Sequence, residues 1–326
     1  MSAAIAEPIV LACAADDAFA MALTVALRSV LDTLSPAHAL EIFVLDGGIR
    51  EPNRERLAAS LESGRARLRF VAPRPEALAK IRHSGRTSLV TYFRILAADL
   101  LPAELRRAIY LDADVVAVAD LSRLWAEPLR GAPVLAVRDA GAPTVSSPRG
   151  LLNYRELGLA PDLPYFNAGV MSLDLACWRE EKLGARLLAY LETHSGAIRW
   201  WDQDALNAVL AGRWGELDPR WNQIPQCWEP AAGEGDPFSP ALRELVIHDP
   251  WIVHYSTWSK PWHWGCTHPA RERFFDVLDR TAWAGWRPRR SFRDSLVWRK
   301  WLGLRRRLQA LRLARGARRP AEASSA

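Results

Sequence analysis

The chain has 326 residues, 49% hydrophobic and 25% charged, a balance that supports one large core or two modest ones and excludes a fibrous or mostly disordered protein. Its four cysteines, Cys13, Cys177, Cys227 and Cys266, form no Cys-x-x-Cys pair, and the N-terminal stretch has no basic segment before an apolar one. A disulfide framework, a zinc ribbon, a signal peptide and a spanning helix are therefore not expected, and a reducing cytosol fits.

In chain order, Ile9 to Cys13 reads as a short buried strand, and Phe19, Leu23, Leu27, Val30, Leu31 and Leu34 follow at helical spacing. Leu40 to Leu45 and Arg67 to Val71 read as strands on either side of a helix from Pro52 to Leu61. This alternation predicts an α/β fold with a parallel, Rossmann-like sheet of βα units. Asp16 and Asp17 fall just past the first strand, where such folds contact nucleotides, although as isolated residues they equally cap a helix beginning near Ala18. No Gly-x-Gly-x-x-Gly or Gly-Lys-Ser/Thr loop occurs, which argues against a dinucleotide or P-loop site.

Thr91 to Leu100 is predicted helical and carries Arg94. Then comes the most informative stretch, Ala108-Ile109-Tyr110-Leu111-Asp112-Ala113-Asp114-Val115-Val116, an apolar strand ending in two carboxylates at i and i+2. Strand alternation would point Asp112 and Asp114 to one side, where they can share a hard cation. A second Asp-x-Asp at Asp202 and Asp204 shows that spacing alone is weak.

Val134 to Val137 reads as a strand followed directly by Asp139, and the Pro-, Gly- and Ser-rich segment from Pro143 to Pro164 as a mobile loop over the site. Phe166 to Asp174 reads as a turn leading into a strand, Trp178 to His194 as one helix, Asp202 to Leu210 as a shorter helix, and Val246 to His254 as late strands. His263, Cys266 and His268 cluster without a fourth metal ligand and read as loop residues.

Six segments in order carry a family likeness: Ala15-Asp16-Asp17, Thr91-Tyr92-Phe93-Arg94, Tyr110-Leu111-Asp112-Ala113-Asp114, Tyr165-Phe166-Asn167-Ala168-Gly169-Val170, Trp201-Asp202-Gln203-Asp204-Ala205-Leu206-Asn207 and His254-Tyr255-Ser256-Thr257-Trp258-Ser259-Lys260-Pro261-Trp262. Over roughly Pro8 to Phe275 the chain resembles glycosyltransferase family 8, the retaining GT-A sugar transferases, and within it the bacterial lipopolysaccharide core galactosyl- and glucosyltransferases. The resemblance implies a GT-A fold, a mixed Rossmann-like sheet flanked by helices, over residues 1–280. It also implies a metal, Mn²⁺ or else Mg²⁺, held by Asp112, Asp114 and His254, and a UDP-sugar donor. Donor contacts would fall to Ala14, Asp16, Asp17, Arg94, Asp112, Ala113, Asp114, Asn167 and Lys260, and the chemistry to Gln203, Asp202 and Asp139.

Two departures bear on the donor. Ala18-Phe19 stands where the family commonly has Asn-Tyr, and Thr257-Trp258 where it often has Gly, which puts a bulky ring near the phosphates.

Thirteen Arg or Lys and one Asp between Arg287 and Arg319 make a block of +12 within a chain of net +6, leaving −6 on the rest. Within residues 281–326, Val297, Trp301, Leu304, Leu308 and Leu311 step at helical spacing among arginines, and Trp283, Trp286, Trp298 and Trp301 suit a lipid interface. The expectation is a basic amphipathic helical tail that attaches the enzyme to the anionic inner face of the cytoplasmic membrane, near a glycan or glycolipid acceptor, rather than to nucleic acid. The alternatives are a haloacid-dehalogenase-like phosphatase with Asp112 as nucleophile, and an inactive membrane- or nucleic-acid-binding scaffold. The phosphatase motif opens its fold, whereas this one follows several elements, and the intact Asp112, Asp114, His254 and Lys260 oppose inactivity.

Overall fold

In the computed structural model, which describes residues 7–81, 88–229 and 237–290, the strands β1 (Ile9–Ala15), β2 (Leu40–Asp46), β3 (Ala66–Val71), β4 (Arg107–Leu111), β6 (Val134–Arg138), β7 (Phe166–Asp174) and β8 (Gly215–Glu216) form a sheet in the order β3-β2-β1-β4-β7-β6-β8. The first four strands of that order run parallel, as the alternation predicts. The sheet as a whole is mixed, because β7 is antiparallel to both β4 and β6.

All seven residues of β1 are buried, and alternation sends them to opposite faces. Ile9, Leu11 and Cys13 pack with Leu23, Leu27, Val30, Leu31 and Leu34 around α1 (Ala20–Thr33), while Val10, Ala12 and Ala14 pack on the other side with Tyr92, Ile95 and Leu96 of a 3₁₀ helix at Leu89–Leu96. That 3₁₀ helix runs into α3 (Ala97–Leu100), so the expected helix from Thr91 is real but mostly 3₁₀. The helix α2 (Glu51–Ser60) lies against α1.

Between β6 and β7 the register shifts at Ala136/Val137, so that Ala136 pairs with Met171 but Val137 pairs with Asn167. Ala168, Gly169 and Val170 are bypassed by β6 and face β4 instead, where Val170 pairs with Leu111 and Asp112 N donates to Gly169 O at 2.8 Å. This irregularity aims one short run of β7 at the sheet edge. The expected turn at Phe166 is therefore already strand.

A separate two-stranded ribbon pairs β5 (Val115–Ala117) with β9 (Ile252–His254), antiparallel, Val115 opposite His254. The expected late strands from Val246 shrink to these three residues, because Val246 lies in α8 (Pro240–His248), started by the Ser239 cap. The ribbon is covered by α9 (Arg271–Leu278) through Val116, Val253, Tyr255 and Phe274.

The segment from Pro143 to Pro164, expected to be mobile, is tied at its base by pairing of Thr144 with Pro164 and packs Val145, Leu151 and Tyr165 into its own small core. After α9, turns carry residues 281–286 back onto α1 and α2, with Arg280 Nε 2.8 Å from Asp32 Oδ2 and the Arg56 guanidinium over the Trp283 ring. The expected tail helix over Val297 to Leu311 lies outside the described residues. Among the described residues no helix is long and apolar enough to cross a membrane.

The single helix expected over Trp178 to His194 is two, α5 (Leu175–Glu180) and α6 (Leu183–Thr193), broken at exposed Lys182 with φ of 52°. A left-handed lysine costs about 1–2 kcal/mol of local strain, part of which glycine relieves. Lys182→Gly is expected to raise unfolding stability by about 0.5–1 kcal/mol in urea titrations; a loss of stability would show that the turn is not strained.

Candidate functional site

The carboxyl ends of β1, β4 and β6 and the start of antiparallel β7 open onto a cavity of about 600 Å³. The tips of β1 and β6 are separated by β4 and β7, so the cavity extends on the order of 14 Å across the sheet edge. Ala14, Asp16 and Phe19 line its β1 end, Asp112, Ala113, Asp114, Gly169, His254 and Lys260 its middle, and Asp139, Asn167, Gln203, Gln226 and Trp200 its β6 end.

Asp112 and Asp114 lie in the tight turn between β4 and β5, so the turn rather than strand alternation brings them together. Pairing of Val115 with His254 delivers the histidine beside them. Its Nε2 stands 3.7 Å from Asp112 Oδ2 and 3.3 Å from Asp114 Oδ1. One ligand atom from each residue falls within 4.8 Å of the others.

Each carboxylate divides its oxygens. Asp112 Oδ1 accepts from Arg94 Nη2 at 2.7 Å and Asp114 Oδ2 accepts from Lys260 Nζ, which leaves Asp112 Oδ2 and Asp114 Oδ1 facing His254. His254 Nδ1 is 2.8 Å from Asn222 Oδ1, a pairing that places the proton on Nδ1 and the Nε2 lone pair toward the carboxylates. The residues thus fit a hard divalent cation: two oxygens and one imidazole nitrogen converge with their other atoms already engaged. Gly169 is part of the cradle, since a Cβ there would stand 2.1 Å from His254 Cε1 and 3.0 Å from Asp112 Oδ2.

Electrostatics agree. Burial, with Asp114 beside it, raises the Asp112 carboxyl against the pull of Arg94. Burial also pushes Asp114 up, but Lys260 and His254 outweigh it and hold that carboxyl below its ordinary range. Five carboxylates line the cavity, Asp16, Asp112, Asp114, Asp139 and Asp202, against three cations, Arg94, Arg149 and Lys260. A doubly charged ion balances them.

Buried Arg94 is the hub. Its Nη1 donates to Ala168 O at 2.6 Å, its Nε lies 2.8 Å from Asp202 Oδ2, and its guanidinium sits 4.7 Å from the Tyr110 ring centre. Asp202, at the start of α7 (Trp201–Val209), also accepts from Thr91 Oγ1 at 3.1 Å; burial pushes its pKa up to about 6, Arg94 opposing and Asp112 adding to the rise. Gln203 Nε2 and Asn167 Nδ2 both donate to Asp139 Oδ2 at 3.1 Å, while Gln203 Oε1 accepts Ala168 N–H at 3.1 Å. Asn167 Oδ1 accepts from Asn222 Nδ2 at 2.9 Å, which completes a hydrogen-bonded chain His254–Asn222–Asn167–Asp139–Gln203.

Of the residues expected to hold donor or metal or to carry the chemistry, Asp17 is the one that does not line the cavity. It accepts from Arg50 N, Arg50 Nε and Asn53 Nδ2, and the hydrogen bonds from Arg50 hold it down to about 2. Asp16 does both things considered for it, capping Ala18 and Phe19 N–H while lining the cavity. Asp204 is structural: its oxygens take Tyr165 Oη and the N–H groups of Arg199 and Trp200. Asn222 and the steric role of Gly169 were not anticipated, and a lone Asn after a proline turn offers no sequence signal.

Residues 10–266 match the family described as Glycosyl transferase family 8. The chain is 29% identical over 272 residues to General stress protein A of Bacillus subtilis, covering 82% of this chain and 92% of that protein. It is 31% identical over 202 residues to lipopolysaccharide 1,2-glucosyltransferase of Escherichia coli, covering 62% of this chain and 57% of that protein. The crystal structure of the galactosyltransferase LgtC in complex with donor and acceptor sugar analogs superposes with a TM-score of 0.73 at 29% identity, over 84% of this chain and 96% of that one.

Gly169→Ala is expected to displace the His254 ring and weaken Mn²⁺ binding about tenfold or more, measured by the loss of the free-ion electron paramagnetic resonance signal; unchanged affinity would disprove the cradle. A second expectation concerns pH. His268 Nδ1 accepts Ala270 N–H at 3.1 Å, its buried Nε2 has no hydrogen-bond partner among the described residues, and burial, then His254 and Lys260, push it down to about 4. Below pH 6.5 the unfolded chain takes up a proton that the native state refuses until about pH 4, so stability is full above 6.5 and falls with acidification. Allowing for partial exposure, denaturant titrations should lose about 1 kcal/mol at this site between pH 7 and 5, and His268→Gln should flatten that slope.

Proposed function

This chain belongs to glycosyl transferase family 8, and from that premise we propose that it transfers glucose or galactose, with retention of configuration, from a UDP-sugar to a glycan or glycolipid acceptor in lipopolysaccharide core assembly. The observation that carries the reading is the convergence of Asp112 Oδ2, Asp114 Oδ1 and His254 Nε2 midway along a cavity lined from the β1 end to the β6 end of the sheet edge. A nucleoside at the β1 end by Ala14 and Asp16 puts its diphosphate over that trio and the hexose at the β6 end among Asp139, Asn167 and Gln203. Carboxylates with one imidazole favour Mn²⁺ and also admit Mg²⁺; the ion, when bound, acts as a Lewis acid on the departing diphosphate.

The side chains do the rest. Lys260, poised on Asp114 and Tyr255 O, adds positive charge beside the same leaving group. Arg94 fixes Asp112 and Asp202 together, tying the ion site to the start of α7. Asp139 and the Gln203 amide meet the sugar, where bonds to individual hydroxyls set donor specificity. For retention, same-face attack is favoured over a covalent intermediate: Gln203 Oε1 is occupied by Ala168 N–H, an amide is a poor nucleophile, and Asp202 is held by Arg94 and Thr91. The leaving phosphate then accepts the acceptor's proton. Nothing favours the phosphatase reading, and residues 10–266 match a glycosyl transferase family instead.

The basic segment beyond residue 290 supports peripheral attachment to the inner face of the cytoplasmic membrane, where a glycolipid acceptor would lie.

UDP release in Mn²⁺ over UDP-glucose, UDP-galactose, UDP-N-acetylglucosamine and GDP-mannose should favour one of the first two, and Asp114→Ala should cut it about 100-fold or more. Release from none of the four sinks the assignment. In sedimentation with anionic liposomes the full chain should bind and a chain ending at residue 290 should not; equal binding removes the membrane role of the tail.

A further inference from the structure

The β6 end of the cavity carries positive charge that the donor reading does not use. Arg149 lines the cavity from the tied loop between Thr144 and Pro164, with its guanidinium carbon 5.2 Å from the Trp200 ring centre. Trp200 Nε1 also donates to Arg149 O at 2.7 Å, so one indole positions both the backbone and the side chain of this residue. Next to Trp200 in sequence, Arg199 Nη1 donates to Pro148 O and brings a second guanidinium to the same rim. Among the described residues neither arginine forms an ion pair.

Asp139 is close to Arg149, but the two form no ion pair and both Asp139 oxygens are engaged elsewhere. A Cβ on Gly141 would lie 3.3 Å from both Arg149 Nη1 and Asp139 Oδ1, so the absence of a side chain there leaves room for both groups at this end of the cavity. Asp139 Oδ1 is taken by the N–H groups of Gly141 and Ala142, and its Oδ2 by Asn167 and Gln203. A guanidinium braced on an aromatic face has lost much of its rotamer freedom beforehand and presents a planar fork suited to two oxygens of one anion. The donor's own diphosphate belongs at the middle of the cavity, by the tip of β4 next to β1, so an anion at the β6 end, two strands further on, belongs to what approaches the hexose. Trp258, 74% exposed and also lining the cavity, offers a flat apolar surface to the sugar ring itself.

We propose that Arg149, braced on Trp200, recognises an anionic substituent, phosphate or carboxylate, on the acceptor sugar. This rests on reading the cavity as a sugar-nucleotide site with the hexose over Asp139 and Gln203.

The test reads binding without turnover. The full chain, saturated with UDP and Mn²⁺, is titrated calorimetrically with lactose and with lactose 6′-phosphate. The phosphorylated sugar should bind about tenfold or more tightly than the neutral one, and Arg149→Gln should erase that ratio. Arg149→Lys should restore part of it, and Arg155→Gln, an exposed arginine of the same loop stacked on Tyr154 outside the cavity, should keep it. Equal binding of the two sugars by the wild type, or a ratio that survives Arg149→Gln, overturns the proposal. So does a donor result in which Arg149→Gln removes a preference for UDP-glucuronate over UDP-glucose, since the anion would then sit on the donor. A failure of the transferase reading shows instead in the UDP-release screen.

Discussion

Two carboxylates forced out of water within one turn are the constraint around which this molecule is arranged. Asp114 is 8% exposed and Asp112 lies beneath Arg94, so neither can keep its charge by hydration alone. The protein answers with one cation for one oxygen of each, Arg94 from the 3₁₀ helix before β4 and Lys260 from the loop after β9. The two oxygens left over, with His254, are grouped closely enough that they could hold a divalent ion. Removing either cation would expose the repulsion within the pair, and removing the pair would leave Lys260 without its carboxylate and Arg94 with Asp202 alone.

The sheet makes that arrangement possible by breaking its own regularity. A parallel sheet continued from β4 would have presented another carboxyl end at the edge. The antiparallel β7 presents its beginning instead, and the register slip against β6 pushes Asn167, Ala168 and Gly169 forward. Those three residues then serve four neighbours: Asn167 joins the polar chain to Asp139, Ala168 gives its carbonyl to Arg94 and its N–H to Gln203, and Gly169 yields space to His254.

What could be read from the sequence was what has a local cause. The alternation of β1 to β3 with α1 and α2, the Asp-x-Asp turn, and the run from Asp202 to Asn207 all carry periodicity or motif signals, and the structure brings Ala14, Asp16, Asp112, Asp114, Asp202 and Gln203 from them to one cavity. What could not be read depends on partners far away in sequence. The α5–α6 break turns on a single left-handed Lys182, and Val246 belongs to a helix because Ser239 starts one. Asp17, adjacent to a residue that does line the cavity, was lost to Arg50 and Asn53, which only the packing of α2 reveals. Asn222 was invisible for the same reason: its value lies wholly in touching His254 and Asn167.

The ribbon that seats His254 has a consequence for synthesis of the chain. The parallel half of the sheet and the Asp-x-Asp turn emerge first and can pair among themselves, but the third donor and Lys260 arrive some 140 residues after Asp114. Until that last strand docks against Val115, a nascent or prematurely terminated polypeptide holds its acidic turn without the imidazole or the ammonium. Such a fragment holds the β1 end of the cavity and the acidic turn but lacks His254 and Lys260, so the three-residue cluster is complete only when the chain is nearly so.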